Sequence, residues 1–205
     1  MLIGDSHSGS LEYHLNEEIK KNNLSLYRFE TPFFLKNFNY VDRKTKKFNK
    51  DFNDKNEKID NFLKENSNLI VIFHQRWSLH LLETYFDNEE GYKEHKREEN
   101  KFYDYLEPIN ITTTSQSERE KYIKDSLISE INNIVNQGHK LILVYPVPEM
   151  AFEPPKLLYL RMIKENLFNK KNFIPPILTG SYEVYIKRHQ KIFEILEDRK
   201  STRLN

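Results

Sequence analysis

Short apolar runs alternate along the chain with polar stretches in an order that predicts strand, helix and strand again. Met1-Leu-Ile-Gly4 is apolar up to its glycine, and Asp5-Ser-His-Ser-Gly9 separates it from an amphipathic stretch that begins at Leu11. Leu11, Leu15 and Ile19 recur at the spacing of one helix face, and Asn22-Asn23 ends that helix. Leu24-Ser-Leu-Tyr-Arg-Phe29 then alternates as a strand does. Three such elements within about thirty residues make a βαβ unit, which predicts a parallel sheet and a right-handed crossover.

Farther on, Glu30 to Asn56 carries few periodic positions and reads as a solvated loop. Ile59, Phe62 and Leu63 mark a short helix, and Leu69-Ile-Val-Ile-Phe73 is a continuous apolar run, expected to be buried on both faces at the sheet centre. Asp87 to Asp104, with His95 inside it, is charged and reads as solvated loop. Ser117-Glu-Arg-Glu120 fits a capping box, and Ile123, Leu127, Ile131, Ile134 and Val135 give a helical face that ends at Gly138. Leu141-Ile-Leu-Val-Tyr145 is a fourth buried strand, stopped by Pro146-Val-Pro-Glu149, and Tyr185, Ile192, Phe193 and Leu196 place a last helix from Ser181 to Leu196. The fold class is therefore α/β, a three-layer α/β/α sandwich with a mainly parallel sheet. Ser6, Arg76 and Pro146 are expected at one carboxyl edge of it.

Composition narrows this picture without redirecting it. A chain of 205 residues suits one domain with a proper core, and 13% aromatic content argues for folding despite the many lysines and asparagines. Lys and Arg number 32 against 31 Asp and Glu, so no global field draws the protein to nucleic acid, which is not an expected partner. With zero cysteines, disulfides, thiolate metal sites and a cysteine nucleophile are excluded. No apolar run approaches the roughly 18 residues of a membrane span.

The chemistry concentrates where strands hand over to helices. Ser6 follows an apolar strand and precedes a helix, beside unpaired backbone N–H groups and the positive end of a helix dipole, a place suited to a nucleophile. The same Asp-Ser pair also suits a plain N-cap. His74-Gln-Arg-Trp-Ser78 ends the central strand, where open α/β sheets bind ligands. Arg76 and Trp77 both carry fixed donors able to serve an oxyanion, and both equally suit a structural ion pair and core packing. His14 reads as a surface histidine with no partner at ligand spacing, and Glu149 as a surface loop carboxylate. Neither a metal nor a cofactor is expected.

Gly4-Asp5-Ser6-His7 resembles the first motif block of the SGNH/GDSL hydrolase superfamily. In this form it is similar to the SGNH domain fused to acyltransferase-3 family polysaccharide O-acyltransferases. His74 to Ser78 is similar to that subgroup as well, since its members place an Arg-Trp pair after this strand where simple SGNH esterases carry Gly-x-Asn-Asp. Pro146-Val-Pro-Glu149, Pro154-Pro155 and Arg161 continue the likeness, and Thr31-Pro32 matches weakly a proline-containing segment of the cleft. The resemblance implies Ser6 as catalytic nucleophile and Gly4, Asp5, His7, Arg76 and Trp77 as candidates for oxyanion or substrate contact. It also implies an acyl donor and a carbohydrate acceptor as partners, an upstream membrane acyltransferase domain and a periplasmic or extracytoplasmic location. A stand-alone esterase acting on carbohydrate or lipid, and a glycan-binding domain without turnover, are the rival readings. The family's last block, Asp-x-x-His, has no counterpart among the histidines at 7, 14, 74, 80, 95, 139 and 189. The expectation is thus a truncated domain over residues 1–198, inactive alone, with a non-native or disordered tail at 199–205.

Overall fold

The computed structural model describes residues 1–94, 104–111, 115–151, 154–164 and 180–201. In chain order the elements are β1 (Leu2–Gly4), α1 (Ser6–Lys21), β2 (Arg28–Glu30), β3 (Phe38–Asp42), α2 (Lys50–Glu65), β4 (Ile70–Phe73), α3 (Trp77–Leu82), β5 (Asp104–Pro108), α4 (Gln116–Asn136), β6 (Lys140–Leu143), α5 (Pro154–Lys164) and α6 (Tyr182–Ser201). Four strands form a parallel sheet in the order β2-β1-β4-β6, in which Leu2 faces Arg28 on one side and Ile72 on the other. From β1 the chain first steps outward to β2 and then crosses back to β4, so the strand order reverses between β1 and β4. Ligands of open α/β sheets lie beyond the carboxyl ends at such a reversal.

Core residues explain the layering. Ile3, Val71, Phe73 and Leu141 point from the sheet into a cluster with Phe52, Ile59 and Leu63 of α2 and Ile123, Leu127, Ile131 and Ile134 of α4. The outward and returning crossovers put α1 on the opposite face, as right-handedness requires. This is the expected α/β sandwich with its mainly parallel sheet.

Several boundaries and readings change. The second strand starts at Arg28, because Leu24 and Tyr27 are exposed and cannot be its core face. The central strand is not buried on both faces: Ile70 is 49% exposed and, on the same face of the neighbouring strand, Ile142 is 48%. Ser115, not Ser117, caps α4, accepting from the Glu118 N–H at 3.2 Å. The stretch taken as loop before Asn56 contains β3 and the first turns of α2, and β3 pairs antiparallel with β5, which starts at Asp104. His95 lies outside the described residues, as do residues 202–205.

Candidate active site

The Ser6 turn is held by contacts that leave little freedom. A Cβ on Gly4 would stand 1.6 Å from the His74 carbonyl oxygen, so only glycine lets the end of β1 lie this close to the end of β4. Asp5 is the N-cap of α1, its Oδ1 accepting from the His7 N–H at 2.8 Å. Its Oδ2 accepts from the Arg76 N–H, also at 2.8 Å, and lies 3.8 Å from His80 Nε2. One carboxylate thereby joins the turn after β1 to the turn after β4. Burial pushes the Asp5 carboxyl up, but His80 and the Arg76 and His7 N–H groups outweigh it and hold the carboxyl below its ordinary value.

Behind Asp5 the network continues into the core. Tyr40 Oη lies 2.7 Å from His80 Nδ1, and burial holds the phenol protonated. Burial likewise lowers the His80 pKa and keeps the ring neutral. Asp5 is therefore an acceptor that positions the turn and supplies no proton to an oxyanion.

Ser6 itself is exposed and lines a cleft of about 390 Å³ together with His7, Ser10, Arg76, Glu94, Val147, Pro148, Glu149, Met150 and Pro154. The expected convergence of the Ser6 turn, Arg76 and the segment after Pro146 is thus met at one carboxyl edge. Burial lowers the His7 pKa against the opposing pull of Asp5, and its ring centroid is 6.3 Å from that of the buried His74. Thr31 closes the turn from the other side, donating its N–H to the Gly4 carbonyl at 2.9 Å.

Arg76 and Trp77 have separate fates. Trp77 is fully buried against Phe33 and Phe73, and its indole N–H donates to the Val144 carbonyl at 3.0 Å. It belongs to the core and points no donor at Ser6. Arg76 does reach the cleft, but as part of an ion cluster: Nη1 and Nη2 fork onto Glu94 at 2.8 and 2.7 Å, while Nε and Nη2 bond Glu149 Oε1 at 3.0 and 2.7 Å. Glu149, read from sequence as a surface carboxylate, has a side chain only 4% exposed, because Arg188 of α6 also donates to its Oε2 at 2.9 Å. Burial raises its pKa and the two guanidinium groups more than reverse that. Glu94 is the residue that sequence reasoning missed. It sits inside a charged run and shows no periodicity, so nothing in one dimension marks it as a cleft residue.

These features fit the family comparison. A family model described as an SGNH domain fused to AT3 domains matches residues 1–204. The chain belongs to this SGNH family. No curated protein and no solved structure matches it. Membership gives the domain a hydrolase or acyltransferase type of role and ties its family to membrane acyltransferase domains. Among the described residues no helix is long and apolar enough to cross a membrane.

Proposed function

We propose that this SGNH domain transfers acyl groups through Ser6, acting as the catalytic part of a membrane acyltransferase that O-acetylates a cell-surface or secreted polysaccharide outside the cytoplasm. The observation that carries the reading is the position of Ser6 on the first residue of α1, exposed on a cleft at the strand-order reversal. Ser6 Oγ attacks the acyl carbonyl, its proton passes to a base, and the tetrahedral oxyanion collapses with loss of the donor's leaving group. A carbohydrate hydroxyl then attacks the acyl-serine and regenerates the free hydroxyl. Within the first turn the His7 N–H is spent on Asp5 Oδ1 and the Ser8 N–H on the Asp5 carbonyl, so the N–H of Ser6 is the donor left for the oxyanion. Among the described residues, His80, His139 and His189 have ring nitrogens engaged elsewhere, His74 is buried, and His7 shares the cleft with Ser6. The resemblance implies that the base is the histidine of an Asp-x-x-His block, and we take it from there rather than from His7.

The test combines labelling and turnover. In a protein that includes an Asp-x-x-His block, a fluorophosphonate should modify Ser6, located by mass spectrometry, and p-nitrophenyl acetate hydrolysis should fall by about three orders of magnitude or more in Ser6→Ala. Hydrolysis that survives Ser6→Ala would assign the chemistry to another group.

A further inference from the structure

The Arg76 cluster carries a consequence for what the cleft can bind. Arg76 has five N–H donors, and four are taken: one from Nε, one from Nη1 and two from Nη2. Two of those four bonds form the planar fork by which a guanidinium grips a carboxylate or phosphate, and its occupant is Glu94. The two carboxylates are not equivalent. Glu149 is enclosed and shared between Arg76 and Arg188, whereas the Glu94 side chain is 25% exposed and lies on the cleft wall. Glu94 is fixed there by the chain as well, with its N–H donating to the Phe86 carbonyl at 2.9 Å and its Oε2 accepting from the Phe86 N–H at 3.3 Å.

Charge counting gives these bonds their meaning. Within the ion cluster itself, Arg76 and Arg188 against Glu149 alone leave one positive charge, which Glu94 cancels, while the ionised Asp5 on the Arg76 N–H adds a further negative charge at its edge. Without Glu94 the fork would face an incoming anion with its donors open and its charge unbalanced. With Glu94 in place, an acidic ligand meets a filled guanidinium and a carboxylate of its own sign. The other lining groups suit an uncharged polyol: Val147, Pro148, Met150 and Pro154 offer apolar surface to the C–H face of a sugar ring, and the carboxylate lone pairs accept from hydroxyls.

We propose that Glu94 is a charge filter that occupies the carboxylate-binding edge of Arg76, so that the cleft takes an uncharged carbohydrate acceptor and rejects acidic sugars and phosphates. This rests on the acceptor reading of the cleft given above, and its test reads binding rather than turnover. The full chain, labelled with ¹⁵N, is titrated with sodium glucuronate or with methyl glucoside at constant ionic strength. The reporter is the Arg76 Nε–H signal, assigned by its loss in Arg76→Lys.

In wild type, glucuronate should leave that signal in place. In Glu94→Ala it should shift the signal saturably, with an affinity at least about ten-fold above wild type, the scale of one charge-assisted hydrogen bond. Glu94→Gln removes the charge while keeping the shape, and should move the affinity in the same direction if the alanine variant folds poorly. Equal glucuronate binding by wild type and both variants, or none by either variant, overturns the filter. Ser6 takes no part in this readout, so the titration gives the same answer in a Ser6→Ala background. Failure of acyl transfer at Ser6 and failure of the filter are therefore separate results.

Discussion

Trp77 and Arg76 are adjacent in sequence and answer to different forces. The indole is buried for its area and must satisfy one N–H, which the Val144 carbonyl at the end of β6 does. Trp77→Phe should therefore cost about 1–3 kcal/mol in urea unfolding, from lost volume and an unpaired carbonyl, and leave kcat/KM at Ser6 unchanged. A large fall in turnover with stability intact would instead make Trp77 part of the reaction. For Arg76 the guanidinium is half of a buried charge system. Burial pulls its pKa down and the pairing with Glu94 and Glu149 raises it well beyond, so its charge is permanent.

At the scale of elements, α6 is fastened to α3 by a pair that titrates. Ser78 Oγ lies 2.6 Å from His189 Nδ1, with the ring of Tyr185 at 4.8 Å from that of His189. Burial lowers the His189 pKa to about 4, with Glu149 opposing and Arg188 and Arg76 adding to the shift. In the unfolded chain the ring titrates near 6.5, so between the two values the unfolded state binds the extra proton. His189 therefore favours the folded state fully above about pH 6.5, and that contribution is lost as the pH falls to about 4. Urea unfolding of wild type and His189→Gln across this window should show the wild type losing on the order of 3 kcal/mol more on acidification. Parallel curves would mean that the ring is protonated while buried.

The elements that the chain displays in one dimension are those whose apolar spacing is unbroken. The strand–turn–helix at Ser6, the face of α4 and the run at β4 all have that property, and they stand where the spacing places them except that Val135 of α4 and Ile70 of β4 are exposed rather than buried. α2 was half legible because its core face reads Phe52, Asn56, Ile59 and Leu63, with a polar residue at its second position. Asn56 is buried there by function rather than polarity, bonding Thr31 Oγ1 and the carbonyls of Phe33 and Leu35. β3 and β5 were hidden because each is short, polar on one side and completed only by a partner 70 residues away, as Phe38 is by Pro108. The ion cluster was illegible for the same reason. Arg76 meets Glu149 and Glu94 across separations of 73 and 18 residues, with no pattern to join them.

For the molecule as a whole, the Asp5 clasp sets an order in time. The Ser6 turn lies at the beginning of the chain, yet the Asp5 bond that fixes it closes on an N–H 71 residues later, and Leu2 pairs with Ile72 across 70. Closing loops of that length comes late, because chain entropy opposes each contact before neighbouring ones reward it. After a jump from denaturant, the helical signal of α1, α2 and α4 should recover first, and fluorophosphonate labelling of Ser6 should lag behind it; simultaneous recovery would show that the turn forms locally. A lag has a use. On the chemistry proposed for Ser6, a serine that becomes reactive only when the far turn has docked cannot spend itself on stray acyl groups while the chain is still being made.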